Sequence, residues 1–194
     1  MTRPRETKAG ALSHPDICKI VVSERQLQAR CAALGREITR SYPGRELMIV
    51  VVLKGAFMFA SDLVRHIELP MQVDFMAVSS YGDSTRSSGT VRIVKDLQKD
   101  VIGHDVLLVE DIVDTGLTLS YLRGLLLARH PRSLATCSLL DKTVCRQVEV
   151  PVEFPGFNVP DEFLIGYGLD YQQRYRNLPF IGVLKPEVYR GTPE

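Results

Sequence analysis

Three carboxylates and two threonine hydroxyls crowd into nine consecutive residues of this chain: Glu110, Asp111 and Asp114, then Thr115 and Thr118, within VLLVEDIVDTGLT over 106–118. An adjacent acid pair can accept hydrogen bonds from vicinal hydroxyls and help to hold Mg²⁺. Thr115, Gly116 and Thr118 stand where a helix would begin, so their backbone N–H groups and hydroxyls would meet a phosphate at the positive end of the helix dipole. Together these groups describe a cradle for a phosphorylated sugar. One isolated acid there would be explained as a helix cap; this density of acids and hydroxyls directly after an apolar strand would not. Successive side chains of an extended chain diverge, so Glu110 and Asp111 can serve one ligand only through a bend, which the turn residues after them predict at the strand end.

Other phosphate motifs fail on inspection. There is no G-x-x-x-x-G-K-[ST], and Gly166-Tyr167-Gly168 lacks both the third glycine and the ensuing helix of a dinucleotide fingerprint, which argues against ATP and NAD. His14, His66, His104 and His130 have no metal-ligand spacing, and each reads as a surface or satisfied histidine. Cys18, Cys31, Cys137 and Cys145 form no C-x-x-C pair and no secretory signal precedes them, so they are expected to be buried, reduced thiols.

The elements that must position the cradle follow from periodicity. With 194 residues, 45% of them hydrophobic, the chain suits one sizeable core. We expect a polar, mobile tail over 1–15 and a single domain over 16–194. Lys+Arg 24 against Asp+Glu 23 leaves a charge of +1, which offers no global attraction to nucleic acid or an anionic membrane. The apolar run over 47–53 falls far short of the ~18 residues that span a bilayer, and the protein is expected to be soluble and cytoplasmic.

Ser23-Glu24-Arg25-Gln26 matches a capping box, and Leu27, Cys31, Leu34 and Ile38 recur at helical spacing, predicting a helix over 24–40 that Tyr42-Pro43-Gly44 ends. A doubly buried strand over 47–53, the Lys54-Gly55 turn and a helix over 56–67 make the first β-loop-α unit. Further strands are expected over 71–79, 91–94, 106–109 and 133–140, with a helix over 118–129. The polar stretch SYGDSTRSSGT over 80–90 predicts a mobile loop. After residue 145 the pattern turns irregular, with short strands over 163–165 and 180–184 expected to form a hood. Alternating strands and helices predict an α/β fold, a mainly parallel sheet flanked by helices with ligands at the carboxyl ends of its strands.

EDIVDTGLT after VLLV resembles the phosphoribosyl diphosphate (PRPP) signature of type I phosphoribosyltransferases, and its DTG resembles the 6-oxopurine branch. LKG over 53–55, SSYG over 79–82, LLDK ending at Lys142 and FLIGYGLDY over 163–171 match in the expected order. The resemblance covers nearly everything after residue 15. It implies a Rossmann-like core with a hood and a transfer of the 5-phosphoribosyl group from PRPP to hypoxanthine or guanine, giving IMP or GMP and pyrophosphate with Mg²⁺ required.

Position by position, the resemblance makes Asp114 the general base at purine N7, a role a positioned carboxylate can fill. It places Lys142 on purine O6, Phe163 on the purine face and the main chain of Leu164 on the base edge. Without the resemblance Lys142 would be a strand-end lysine and Phe163 a core aromatic. Glu110 and Asp111 are implied for ribose hydroxyls and metal, and Thr115, Gly116, Leu117 and Thr118 for the 5-phosphate. Asp170 is implied as the carboxylate for a second Mg²⁺ and Arg176 as a pyrophosphate contact, where either could otherwise be a surface charge. Lys54 and Gly55 would offer N–H groups to pyrophosphate across a peptide after Leu53 that can be cis. Ser80 and Tyr81 would close over the sugar, since a ribosyl transfer left open would lose product to water. Some family members carry lysine where this chain has Leu117, which removes a phosphate contact but leaves the backbone nest.

The alternatives are a PRPP-sensing regulator of the same fold that binds nucleic acid, disfavoured by the lack of a basic patch or winged-helix segment, and a xanthine-preferring transferase. The family also implies a homodimer or homotetramer.

Overall fold

The computed structural model describes residues 14–80 and 91–190. Most of the tail expected over 1–15 lies outside the described residues, as does the loop expected over 80–90, with Tyr81, apart from Ser80, which belongs to a strand instead. His14 and Pro15 do not belong to a free tail: the Ile17 amide donates to the His14 carbonyl at 3.0 Å and the His14 ring meets Tyr175 edge-on at 5.4 Å.

In chain order the elements are β1 (Ile17–Val22), α1 (Glu24–Ser41), β2 (Leu47–Leu53), α2 (Phe57–Val64), β3 (Met71–Ser80), β4 (Val91–Lys95), β5 (Asp105–Val113), α3 (Leu117–Leu127), β6 (Ser133–Asp141), a 3₁₀ turn (Thr143–Cys145), β7 (Phe154–Asn158), β8 (Leu164–Ile165), β9 (Ile181–Leu184) and α4 (Pro186–Tyr189). The main sheet has the order β4-β3-β2-β5-β6-β7. All its pairings are parallel except that of β3 with β4. An antiparallel sheet, β1-β9-β8, forms the hood from both ends of the chain.

The period-2 alternation of β2 explains why it is apolar throughout. Leu47, Ile49 and Val51 pack with Leu27, Cys31, Phe59 and Leu63 of α1 and α2, while Met48, Val50 and Val52 pack with Leu119, Leu122 and Leu126 of α3. Helix α1 starts as its capping box requires: Ser23 Oγ accepts from the Gln26 amide, and Gln26 Oε1 accepts from the Ser23 amide at 2.9 Å.

The winding reverses at the β2/β5 boundary, because β3 and β4 lie on one side of β2 while β5, β6 and β7 lie on the other. Such a switch point opens a crevice at the carboxyl ends of the strands. The turns after β2 and β5 both belong to that crevice.

Several expectations are corrected. The strand expected over 106–109 continues to Val113, so Glu110 and Asp111 lie inside β5 rather than on a bend after it. Pairing with β2 stops at Val51↔Val109, while pairing with β6 runs on to Val113↔Asp141, and that one-sided support carries the strand through the acids. Helix α2 spans Phe57–Val64 and not 56–67, and α3 ends at Leu127 and not at 129. Phe163 precedes β8 instead of opening it, and Phe180 precedes β9. Strands β1 and β7 are additional to those expected from the sequence. Cys18 is exposed on β1 and Cys145 partly so; of the four free thiols only Cys31 and Cys137 are buried.

Candidate functional site

Glu110 and Asp111, although consecutive in a strand, line one cavity of about 140 Å³ with the rest of residues 110–116, Thr118 and Leu119. Beside them β2 has ended, and the Lys54-Gly55 turn takes its place. The peptide bond between Leu53 and Lys54 is cis. A Cβ on Gly55 would stand 1.5 Å from Asp111 Oδ2, so with a side chain at residue 55 either that carboxylate or the turn would have to move. Asp111 Oδ1 accepts from the Ile112 amide at 2.8 Å. Glu110 Oε2 is buried without a hydrogen-bond partner among the described residues. Burial first, then the Asp111 charge, push the Glu110 carboxyl well above the ordinary glutamate range. An orphaned, hard oxygen of this kind fits a ligand hydroxyl or a divalent cation.

The cavity floor is the N-terminus of α3. Gly116 caps it with φ +85°, a conformation that favours glycine, and its Cβ position lies 2.5 Å from the Val148 carbonyl oxygen. The first intrahelical bond is made by the Ser120 amide to Gly116 at 2.9 Å, which leaves the amides of Leu117 to Leu119 without an intrahelical acceptor. The Leu117 amide lies 3.5 Å from Thr115 Oγ1, while the Leu117 side chain is absent from the cavity lining. Backbone amides left free at a helix N-terminus can receive an anion.

Lys142 begins the turn after β6. Its amide donates to the Val113 carbonyl at 2.9 Å, tying the ends of β5 and β6 together. The residue is 8% exposed, yet its ammonium reaches Asp114 Oδ2 at 3.8 Å and Asp161 Oδ1 at 3.4 Å. Asp161 was not anticipated; its only sequence signal is the PDEF run just before β8. The Cys145 thiol and the Lys142 ammonium hold the Asp161 carboxyl below the usual range. Burial, with Asp161 and Asp114 nearby, pushes Cys145 up to about 11, so the thiol stays protonated.

Phe163 is 36% exposed; Tyr189 stacks on it at 4.8 Å and 21° and Tyr171 meets it edge-on at 5.5 Å. Leu164 is buried and pairs with Val183. Farther along the hood, Asp170 Oδ1 accepts from Arg176 Nη2 at 2.7 Å, and Arg176 Nη1 donates to the Gly168 carbonyl at 2.7 Å. Gln173 Oε1 accepts from Lys54 Nζ at 3.2 Å and Arg176 Nη2 at 3.3 Å, so an unanticipated glutamine links the two cations. Among the described residues no three His, Cys, Asp or Glu side chains gather as a ready metal site. Glu110 and Asp111 stand together, whereas Asp170 is engaged with Arg176. Ser80 ends β3 and pairs with Val91 through the backbone.

Comparison with known proteins places this geometry. The phosphoribosyl transferase domain pattern matches residues 20–172. The chain is 53% identical over 181 residues to a hypoxanthine-guanine phosphoribosyltransferase of Mycobacterium avium, covering 90% of this chain and 89% of that one. It is 52% identical over 166 residues to a hypoxanthine phosphoribosyltransferase of Salmonella typhimurium, covering 84% and 93%. The crystal structure of a hypoxanthine phosphoribosyltransferase from Staphylococcus aureus superposes with a TM-score of 0.88 at 44% identity, covering 94% of this chain and 99% of that chain.

Proposed function

The chain belongs to the phosphoribosyl transferase domain family, and on that premise we propose that it is a cytoplasmic purine salvage enzyme. It transfers the 5-phosphoribosyl group of PRPP to N9 of hypoxanthine or guanine and releases pyrophosphate with IMP or GMP. The observation that carries this reading is the contact of Lys142 with Asp114, which sets a cation and a carboxylate side by side on the rim of an acid-lined anion cavity.

The 5-phosphate sits on the α3 nest formed by Thr115, Gly116, Leu117 and Thr118, and the ribose hydroxyls donate to Glu110 and Asp111. Lys54, Gly55 and Arg176 take the pyrophosphate. Phe163 stacks on the purine, and the Leu164 main chain meets the base edge. N9 attacks C1′ as pyrophosphate departs, and Asp114 accepts the proton from N7. Lys142 donates to O6. An ammonium has donors only, so the 6-amino group of adenine, itself a donor, would leave it unpaired, and adenine is disfavoured.

Glu110, Asp111 and Asp170 are the oxygen donors that would hold Mg²⁺, and the partnerless Glu110 Oε2 fits that use. Mg²⁺ prefers one or two carboxylates completed by substrate phosphates to an all-protein cage. When bound, the ion supplies charge neutralisation for the departing pyrophosphate.

The test is an assay of PRPP with hypoxanthine, guanine, xanthine and adenine, with Mg²⁺ and with a chelator. IMP and GMP should form only with Mg²⁺. Turnover of adenine alone overturns the reading, and a preference for xanthine overturns its substrate assignment.

A further inference from the structure

Tyr167 stands between Gly166 and Gly168 in the loop leaving β8, is 4% exposed and has φ +48°, the left-handed region that side-chain-bearing residues disfavour. Both neighbours press on other backbone. A Cβ on Gly166 would lie 2.1 Å from the Phe180 carbonyl oxygen, and one on Gly168 would lie 2.0 Å from that of Gly55. The hood loop therefore rests directly on the turn that also touches Asp111.

The Tyr167 side chain enters the core between α1 and α2. Its hydroxyl donates to Asp62 Oδ2 at 2.6 Å, an oxygen that also accepts from Gln28 Nε2 at 2.7 Å. With its single proton given to Asp62, the phenol oxygen can only accept from Cys31 Sγ–H, 3.6 Å away. Burial, reinforced by Asp62, pushes the phenol above its ordinary range and keeps it a donor. Asp62 lies on α2, the helix that begins directly after the Lys54-Gly55 turn. Beyond Gly168, the same loop carries Asp170 and Gln173, whose Oε1 joins Lys54 to Arg176.

We propose that Tyr167 is a positioning residue for PRPP: by bonding to Asp62 its hydroxyl clamps the hood loop onto α2 and keeps Gly168 on the Gly55 carbonyl. The Asp170–Arg176 pair is thereby set against the Lys54-Gly55 turn. The purine end is held separately, since Leu164 and Ile165 are fixed by pairing with Val183 and Gly182. The proposal rests on the assignment of the Lys54-Gly55 turn and Arg176 to the pyrophosphate end.

Tyr167→Phe keeps the ring and removes the hydroxyl. It should raise KM for PRPP about tenfold, the effect of one hydrogen bond to a charged acceptor, and leave KM for hypoxanthine within about twofold. Amide hydrogen exchange over 54–57 should accelerate in the same variant. Asp62→Asn, which retains an acceptor oxygen, should stay close to the parent, and Asp62→Ala should behave like Tyr167→Phe. An unchanged KM for PRPP in Tyr167→Phe, or an equal rise for both substrates with only a lower Tm, overturns the proposal. Should the parent protein form no IMP, the functional reading fails by itself. The exchange comparison still decides the clamp then, because unchanged exchange over 54–57 overturns it.

Discussion

Lys142 Nζ stands 3.8 Å from Asp114 Oδ2. Purine O6 and N7 are neighbours on one edge of the base, so under the proposed function this single contact would set a donor for the first beside an acceptor for the second. Asp161, 3.4 Å from the same ammonium, helps to hold it in place.

Asp114→Asn preserves the shape of the site and removes the proton acceptor. General-base loss typically costs ~10²–10⁴ in rate, so kcat should fall by about that factor while KM for hypoxanthine changes little. Full activity in steady-state assays of this variant would sink the assignment of the base.

Lys142→Met removes the only donor proposed for O6. Loss of a hydrogen bond to a charged group is worth roughly 1.5–3 kcal/mol, so kcat/KM for hypoxanthine should fall about 10- to 100-fold. Discrimination against adenine should shrink in parallel. An unaltered hypoxanthine-to-adenine ratio would place the selectivity elsewhere.

Gly55→Ala forces a methyl group to within 1.5 Å of Asp111 Oδ2 unless the carboxylate or the turn moves. Either movement would distort the proposed pyrophosphate side, and KM for PRPP should rise roughly tenfold or more, as expected where geometry positions the reacting groups. Gly124→Ala is the matching control, because a Cβ there meets nothing within 4 Å and the residue lies within α3. It should stabilise the protein by about 0.5–1 kcal/mol with activity unchanged. Equal kinetic defects in the two variants would contradict the close-approach argument.

Glu110 carries a pH signature. Burial and then Asp111 raise its folded-state pKa, whereas the unfolded chain has the ordinary value near 4.5. Between those two values the folded protein retains a proton that the unfolded chain has lost, so stability falls as pH rises through the window. Glu110→Gln mimics the protonated form. It should raise the Tm of the ligand-free protein at pH 8 by roughly 2–4 °C per kcal/mol relieved and leave it unchanged at pH 4. It should also impair PRPP binding, since the side chain would no longer be a full acceptor. Equal Tm shifts at both pH values would show that the carboxyl's charge is not the cause.

Legibility in the sequence tracked how local each signal was. The Ser23–Gln26 capping box and the 3.6-residue spacing of Leu27, Cys31, Leu34 and Ile38 placed α1 to within a residue. The unbroken apolar run of β2 gave its bounds directly. β7 was invisible because FPGFN carries Pro155 and Gly156, which read as a turn. It is a strand only because it closes the sheet edge on β6, where Gly156 lies so near Leu139 that a Cβ would meet its carbonyl oxygen at 2.1 Å. Ending β5 at residue 109 failed for a similar reason: two acids look like a strand terminus until β6 supplies a pairing partner.

The sequence by itself determined the chemical inventory: the acids, hydroxyls and nest at 110–118, the lysine after an apolar strand, the alternating α/β order and the family motifs. These are properties of residue type and short spacing, carried by periodicity, caps and turn chemistry. Only the tertiary structure decided which groups meet. Asp114 shares Lys142 with the unanticipated Asp161, Asp170 pairs with Arg176 instead of joining Glu110 and Asp111, and Gly55 lies between Asp111 and Gly168. Such meetings depend on strand order, register and packing between residues up to more than a hundred positions apart, and no local pattern encodes them.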